Sequence, residues 1–261
     1  MGLLEGKVAI VAGVGPGLGR SVVLALAEQG AAVVMCARRP DVMDEVAAQI
    51  RAGGGRAHTQ ITDLAEPDQV QALVVAAREH FGRIDILVNN AFDTGAQYAT
   101  VAEADIGRWQ ESMQVIYWGT VAMTKAVIPH MTEQGDGRII MIGSLAVQRP
   151  QPTWGSYIGP KAALAGLIRL LATEVGPAGI RVNGVQPAHI FGPTVEKFFH
   201  DTAEARGVEY EVVYREAADE TSLGYLPPSD EVAGSVVFFA SPLSAPVTGQ
   251  ILNVNAGAWM P

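Results

Sequence analysis

The chain has 261 residues, 49% of them hydrophobic and 17% charged, with a net charge of −9. That acidic balance argues against nucleic acid, whose phosphates are met by basic surfaces, and the single cysteine, Cys36, excludes an intramolecular disulfide framework. No apolar run of about 18 residues is present to span a bilayer, the five histidines show no metal-ligand spacing, and the N-terminus lacks a signal peptide's basic segment. The expectation is a cytoplasmic protein without metal, membrane or nucleic-acid partners.

Short β-rich runs alternate with helical ones. "KVAIVAG" (7–13) reads as a buried strand and leads into a helix over 17–30. "AAVVMCA" (31–37) is a second strand, followed by a helix over 41–53. "RAHTQITD" (56–63) is a third strand, with a helix over 67–82, and "IDILVNNA" (84–91) is a fourth. A long helical region covers 102–134 before the fifth strand, "GRIIMIGS" (137–144). A helix running to about Gly176 precedes "IRVNGVQP" (180–187), and "QILNVNAG" (250–257) closes the set after a long helical excursion. Such alternation predicts an α/β fold, a doubly wound sheet of seven parallel strands with helices on both faces. Without a linker, repeat or low-complexity segment, residues 1–261 read as one domain.

In "GSYIGPK" (155–161), Tyr157 and Lys161 stand at i and i+4, on one helical face. Proline is tolerated in the first turn of a helix, so Pro160 predicts a helix start close to Tyr157. Both side chains then lie near the C-terminal edge of strand five, the edge where open α/β sheets bind ligands. A second signal is "AGVGPGLGR" (12–20), a glycine-rich turn between the first strand and the first helix. Its backbone admits close approach of a phosphate, and the helix N-terminus favours anions. The strict GxGxxG spacing fails; the fit is GxxxGxG through Gly13, Gly17 and Gly19.

GxxxGxG on strand one, "NNA" after strand four, and Ser-(x12)-Tyr-xxx-Lys together resemble the classical short-chain dehydrogenase/reductase family, with a Rossmann-like fold. The likeness runs through "GRIDILVNNA", "GRIIMIGS", "GIRVNGVQP" and "VTGQILNVNAG", in order over essentially the whole chain. It implies a nicotinamide-dependent oxidoreductase interconverting a ketone and a secondary alcohol. Tyr157 would give its phenolic proton to the carbonyl. Lys161 would lower the phenol's pKa from about 10 and hydrogen-bond the nicotinamide ribose, while Ser144 would hold the substrate oxygen. The cofactor would meet Gly13, Gly17, Leu18 and Gly19 at its pyrophosphate, Asp63 and Leu64 at adenine, Asn90 and Ala91 through their backbones, and Pro187 and Ile190 near the carboxamide. Ala37 stands where NAD-type members usually carry Asp, and Arg38 and Arg39 follow. A guanidinium suits a 2′-phosphate, so NADP(H) is favoured and NAD(H) is the alternative. The resemblance also implies a homo-oligomer, a tetramer or dimer, and "AALAGLIRLLA" (162–172) is compatible with association or with packing on the sheet.

The sequence departs from the family at a catalytic asparagine that helps hold a water joining the lysine to solvent. Counting seven residues on from Trp109, or three back from Gly119, gives Ile116. Three readings follow: the relay passes through another polar group, Ser112 for instance; it takes another route at some cost in rate; or the chain binds cofactor with little turnover. Ala12 replaces a threonine that ties strand one to "NNA", and Phe92 replaces a glycine near the nicotinamide pocket. An enoyl reductase is disfavoured because its tyrosine would fall on Trp154.

Residues 191–228 occupy the place of the family's substrate lid. They carry Phe191, Phe198, Phe199, Tyr210, Tyr214 and Tyr225, with Phe92 and Trp154 as further candidates for an apolar wall. At least half of these rings are expected to pack the lid onto the body, and the remainder favour an uncharged, fairly apolar substrate. Between 194 and 221 eight acidic residues face three basic ones. That net of −5 makes a 3-oxoacyl carrier-protein reductase the weaker alternative.

Overall fold

The computed structural model describes residues 2–260 except Thr94, Ala96 and the side chain of Thr194. Seven parallel strands form one sheet in the order β3-β2-β1-β4-β5-β6-β7. They are β1 (Val8–Ala12), β2 (Ala32–Ala37), β3 (Ala57–Ile61), β4 (Ile86–Asn89), β5 (Gly137–Ile142), β6 (Ile180–Pro187) and β7 (Ile251–Val254). Most are one to four residues shorter than the apolar runs that predict them, because those runs continue into the turns at the sheet edges.

The strands are near-continuously apolar because both faces are covered. Alternate residues of β1 part ways: Ala9 and Val11 face α1 (Leu18–Glu28), α2 (Asp41–Ala52) and α9 (Ser229–Ala240), while Ile10 and Ala12 face the other layer. That layer holds α3 (Pro67–Phe81), α5 (Gly119–Gln134) and α6 (Gly155–Val175). Strand order reverses between β1 and β4, so a crevice opens at the C-terminal ends of these strands.

The long helical region over 102–134 is present, with α4 (Ile106–Met113) passing into a π-helical turn over Gln114–Trp118, which then enters α5. One expectation needs correction. Pro160 does not mark the first turn of α6, which begins at Gly155 and places the proline sixth, in the second turn. The N–H missing there removes one i→i−4 bond, to the carbonyl of Ser156.

The excursion 191–228 carries α7 (Pro193–Arg206) and α8 (Tyr210–Asp219). Its neck is closed by a parallel bridge between Phe191 and Pro228 and by the Phe191 N–H donating to the Pro227 carbonyl at 2.9 Å. Inside, Phe199, Ala203, Val213 and Leu226 make a small core of their own, with Phe191, Tyr210 and Tyr214 packed on it.

Candidate active site

The glycine turn is built by two different constraints. Gly13 has φ +94°, and a β-carbon there would lie 2.5 Å from the Ala91 backbone; one at Gly19 would lie 2.6 Å from the Gly13 carbonyl. These two are glycines so that strand, turn and helix can touch. Gly15 and Gly17 face open space instead, and Gly17 heads α1 with no side chain capping the helix. A shallow cradle over an uncapped helix N-terminus, where Leu18 and Gly19 begin the helix, fits a pyrophosphate. The tie that Ala12 lacks is made otherwise: the Asn90 side-chain amide donates to the Gly13 carbonyl at 2.6 Å, and the Asn90 N–H to the Ala12 carbonyl at 2.9 Å.

Beyond the turn lies a cavity of about 410 Å³ lined by Arg38, Asp63, Ala65, Asp93, Arg108 and Gln114, among others. Arg38 lines this cavity, while Arg39 is exposed but does not. Asp63 accepts from the Ala65 N–H at 2.9 Å, so its carboxylate also shapes the turn after β3. Leu64 is buried against α5, and a β-carbon at Gly119 would come within 2.9 Å of it. Arg108, which lines the same cavity, carried no sequence signal. Pro187 is buried at the end of β6, and Ile190 packs on the α1/α9 side of the core.

Ser144, Tyr157 and Lys161 come together at the C-terminal edge of β5. Ser144 follows the strand, and its Oγ accepts from the Ala146 N–H at 3.2 Å, which leaves its own hydrogen free to donate. Lys161 is 3% exposed, and its Nζ donates to the Ile142 carbonyl at 2.6 Å. The same Nζ stands 5.8 Å from the centre of the Tyr157 ring. Burial brings the Lys161 pKa down from 10.5 to about 8.

The expectation that Lys161 depresses the Tyr157 pKa is not met in this structure. Burial pushes the phenol above its ordinary value of 10; the nearby Ser144 hydroxyl opposes the rise and the neighbouring Tyr98 phenol adds to it. The physical reason is burial, the largest influence on the phenol, which outweighs the help of the Ser144 hydroxyl.

Ile116 is fully buried within the π turn, and its carbonyl accepts from Thr120 Oγ1 at 2.7 Å. The hydroxyl of Ser112, the candidate substitute, is spent on Asp93 Oδ2 at 2.7 Å. The sequence gives no warning of that engagement, because Asp93 lies on a different segment. Cys36 is buried, and desolvation pushes its thiol up to about 12, so it is chemically quiet.

On the substrate side the lid rings are mostly consumed in the lid's own core, while Phe198 is 58% and Phe92 55% exposed. The rings nearest Tyr157 are Trp154, 6.0 Å away edge-on, and behind it Tyr98, 5.7 Å from Trp154. Tyr98 went unread in the sequence, because it lies 59 residues from Tyr157 with no motif around it.

Among the described residues no helix is long and apolar enough to cross a membrane, and no cluster of side chains has metal-ligand character. A sequence profile described as short chain dehydrogenase matches residues 7–203. The short-chain reductase protein NovJ of Streptomyces niveus is 36% identical over 252 residues, covering 96% of this chain and 93% of that one. A 7alpha-hydroxysteroid dehydrogenase of Escherichia coli is 30% identical over 254 residues, covering 97% and 94%. The structure of an NAD+-bound xylitol dehydrogenase superposes with a TM-score of 0.88 at 26% identity, covering 96% of this chain and 98% of that one. Matched by the family profile over most of its length and by relatives from end to end, the chain belongs to the short-chain dehydrogenase/reductase family.

Proposed function

We propose that this protein interconverts an uncharged, fairly apolar ketone and its secondary alcohol with NADP(H) in preference to NAD(H). The observation that carries the reading is the convergence of Ser144, Tyr157 and a buried Lys161 at one sheet edge, beside a phosphate cradle. The pyrophosphate would rest on the turn through Gly17, Leu18 and Gly19, with Asn90 and Ala91 behind it and Asp63 and Leu64 toward adenine. When bound, the nicotinamide supplies a hydride to the carbonyl carbon. The protein's part is to hold and protonate the oxygen. Ser144 Oγ–H donates to it, and Tyr157 Oη–H lies on the side of the incoming proton. Lys161 uses one of its donors on Ile142, which aims Nζ and leaves the others for a ribose hydroxyl and for proton exchange.

The NADP(H) preference rests on Arg38, exposed at the adenosine cavity with no ion pair among the described residues, and on Ala37, which supplies no carboxylate to a ribose. The lid over 191–228, with its acidic surface, would cover a neutral substrate. Association of copies through α5 and α6 is part of the same proposal: Leu170 and Trp118 are 55% and 52% exposed near that face.

The test is oxidation of NADPH, and of NADH in parallel, against a panel of aliphatic, cyclic and aromatic ketones. Ketone-dependent turnover that is faster with NADPH is the expected result. A second reading, a cofactor-binding protein with little turnover, is favoured by buried Ile116 and by the engagement of Ser112 with Asp93. Tight NADPH binding without turnover of any ketone, together with turnover gained in Ile116→Asn, would select it.

A further inference from the structure

The segment around Tyr98 is fastened to the start of α6 on both sides of that residue. The Ser156 hydroxyl donates to the Gln97 carbonyl at 2.9 Å, and the Ala99 N–H donates to the Thr153 carbonyl at 3.2 Å. Gln97 is held further by the Asp105 N–H, which donates to its Oε1 at 3.0 Å. Thr153 has φ +72°, a left-handed backbone unusual for a β-branched residue. Strain of that kind persists where surrounding contacts impose it, and it clusters at ligand sites. Here it turns the Thr153 carbonyl toward Ala99 and presents Trp154 just ahead of Tyr157.

The consequence is a row of rings leading to the reacting phenol. Tyr98 meets Trp154 at 5.7 Å and 65°, and Trp154 meets Tyr157 at 6.0 Å and 81°, both edge-to-face. Tyr98 is nevertheless 65% exposed. A large ring whose backbone is tied at both flanks, yet whose surface is open, is placed for contact rather than for the core. In the lid, Phe199, Tyr210 and Tyr214 are turned onto one another, and the exposed Phe198 ring meets Phe199 rather than Trp154 or Tyr157.

Resting on the proposed ketone chemistry, we infer that Tyr98 and Trp154 form a ring-binding wall, that the substrate is a ketone bearing an aromatic or alicyclic ring, and that Tyr98 determines this specificity. The ring of such a substrate lies along the wall, which orients its carbonyl oxygen toward Tyr157 and Ser144. An open-chain ketone has no planar face to match.

The test compares acetophenone with 2-octanone on the wild type, Tyr98→Ala and Tyr98→Phe, at saturating NADPH. The ratio of kcat/KM for acetophenone to that for 2-octanone is expected to fall roughly tenfold in Tyr98→Ala and to persist in Tyr98→Phe, an amount typical of one aromatic contact. An unchanged ratio in Tyr98→Ala, or an equal fall in both variants, overturns the inference. Saturation-transfer NMR of acetophenone with the protein and NADP+ separates this from the ketone chemistry itself. Ring-proton saturation present in the wild type and Tyr98→Phe, and lost in Tyr98→Ala, upholds the wall even if no ketone is reduced. Its absence from the wild type, or its persistence in Tyr98→Ala, removes the wall.

Discussion

The two edges of the sheet treat charge in opposite ways. At the N-terminal edge, fully buried Asp85 accepts from Lys7 Nζ at 3.2 Å, from Arg83 at 2.6 and 2.7 Å and from the Val8 N–H at 2.9 Å. Asp136 joins Lys7 at 3.1 Å and also pairs with Arg138. At the C-terminal edge, Lys161 is equally buried but has no carboxylate, only the Ile142 carbonyl. Buried charge that is fully partnered holds a fold together, whereas buried charge left without a counter-ion costs stability. The protein tolerates that cost at one edge, the one where the proposed function calls for a cation beside a ribose.

Five substitutions, the last followed across pH, bear on this contrast in descending order of effect. Tyr157→Phe removes the proton donor but little packing, so kcat is expected to fall by about 10²–10⁴ with Tm nearly unchanged. Unchanged turnover would remove Tyr157 from the mechanism. Asp85→Ala should do the reverse. It takes both hydrogen bonds from Arg83, leaves Lys7 with Asp136 alone and the Val8 N–H unpaired, a loss of about 3 kcal/mol in urea unfolding; a loss below about 1 kcal/mol would show the network to be ornamental.

Lys161→Met draws the contrast most sharply, since activity and stability should move apart. Folding lowers this pKa from 10.5 to about 8. The unfolded chain therefore holds the proton more tightly between those values, and wild-type stability should rise with pH across that window. Below it the charged form carries the full penalty, so the methionine variant is expected to be more stable by up to roughly 3 kcal/mol at neutral pH, and inactive. A variant less stable than the wild type would mean that the Ile142 bond outweighs desolvation. Smaller again, Arg38→Ala should raise KM for NADPH about tenfold and leave KM for NADH alone, the share of one charge-assisted contact to a phosphate. Equal changes for both cofactors would cancel the 2′-phosphate role.

Much of this was legible in the sequence because each signal was local. Alternation of apolar runs and helices yields the sheet, and the glycine turn and the Tyr-Lys pair announce themselves by spacing alone. What was not legible depended on partners distant in the chain. Ser112 looked available until folding set Asp93 against it, and Tyr98 acquired a role only when Gln97 and Ala99 were tied to Ser156 and Thr153. That at least half of the lid rings pack was legible, but not against what, since composition cannot say whether an aromatic faces a neighbour in its own subdomain, the body or an open cleft. Burial, a quantity that spacing does not contain, raised the Tyr157 pKa that Lys161 was expected to lower.

The smallest effect belongs to the N-terminal edge and concerns Asp136. Burial raises its pKa, but hydrogen bonds from Arg138 and Lys7 outweigh burial and hold it below the ordinary 3.8. A carboxylate whose pKa is lowered on folding stabilises the native state above its unfolded pKa, and that contribution disappears as pH falls through the folded value. Wild type and Asp136→Asn should therefore differ in Tm by a constant amount near neutral pH, and the two curves should converge between about pH 5 and pH 2. Because this carboxylate is 39% exposed, added salt should shrink the gap, whereas it should leave the Asp85 loss almost intact. Curves that stay parallel into acid would mean that Asp136 acts through shape rather than charge, and the paired edge would then rest on Asp85 alone.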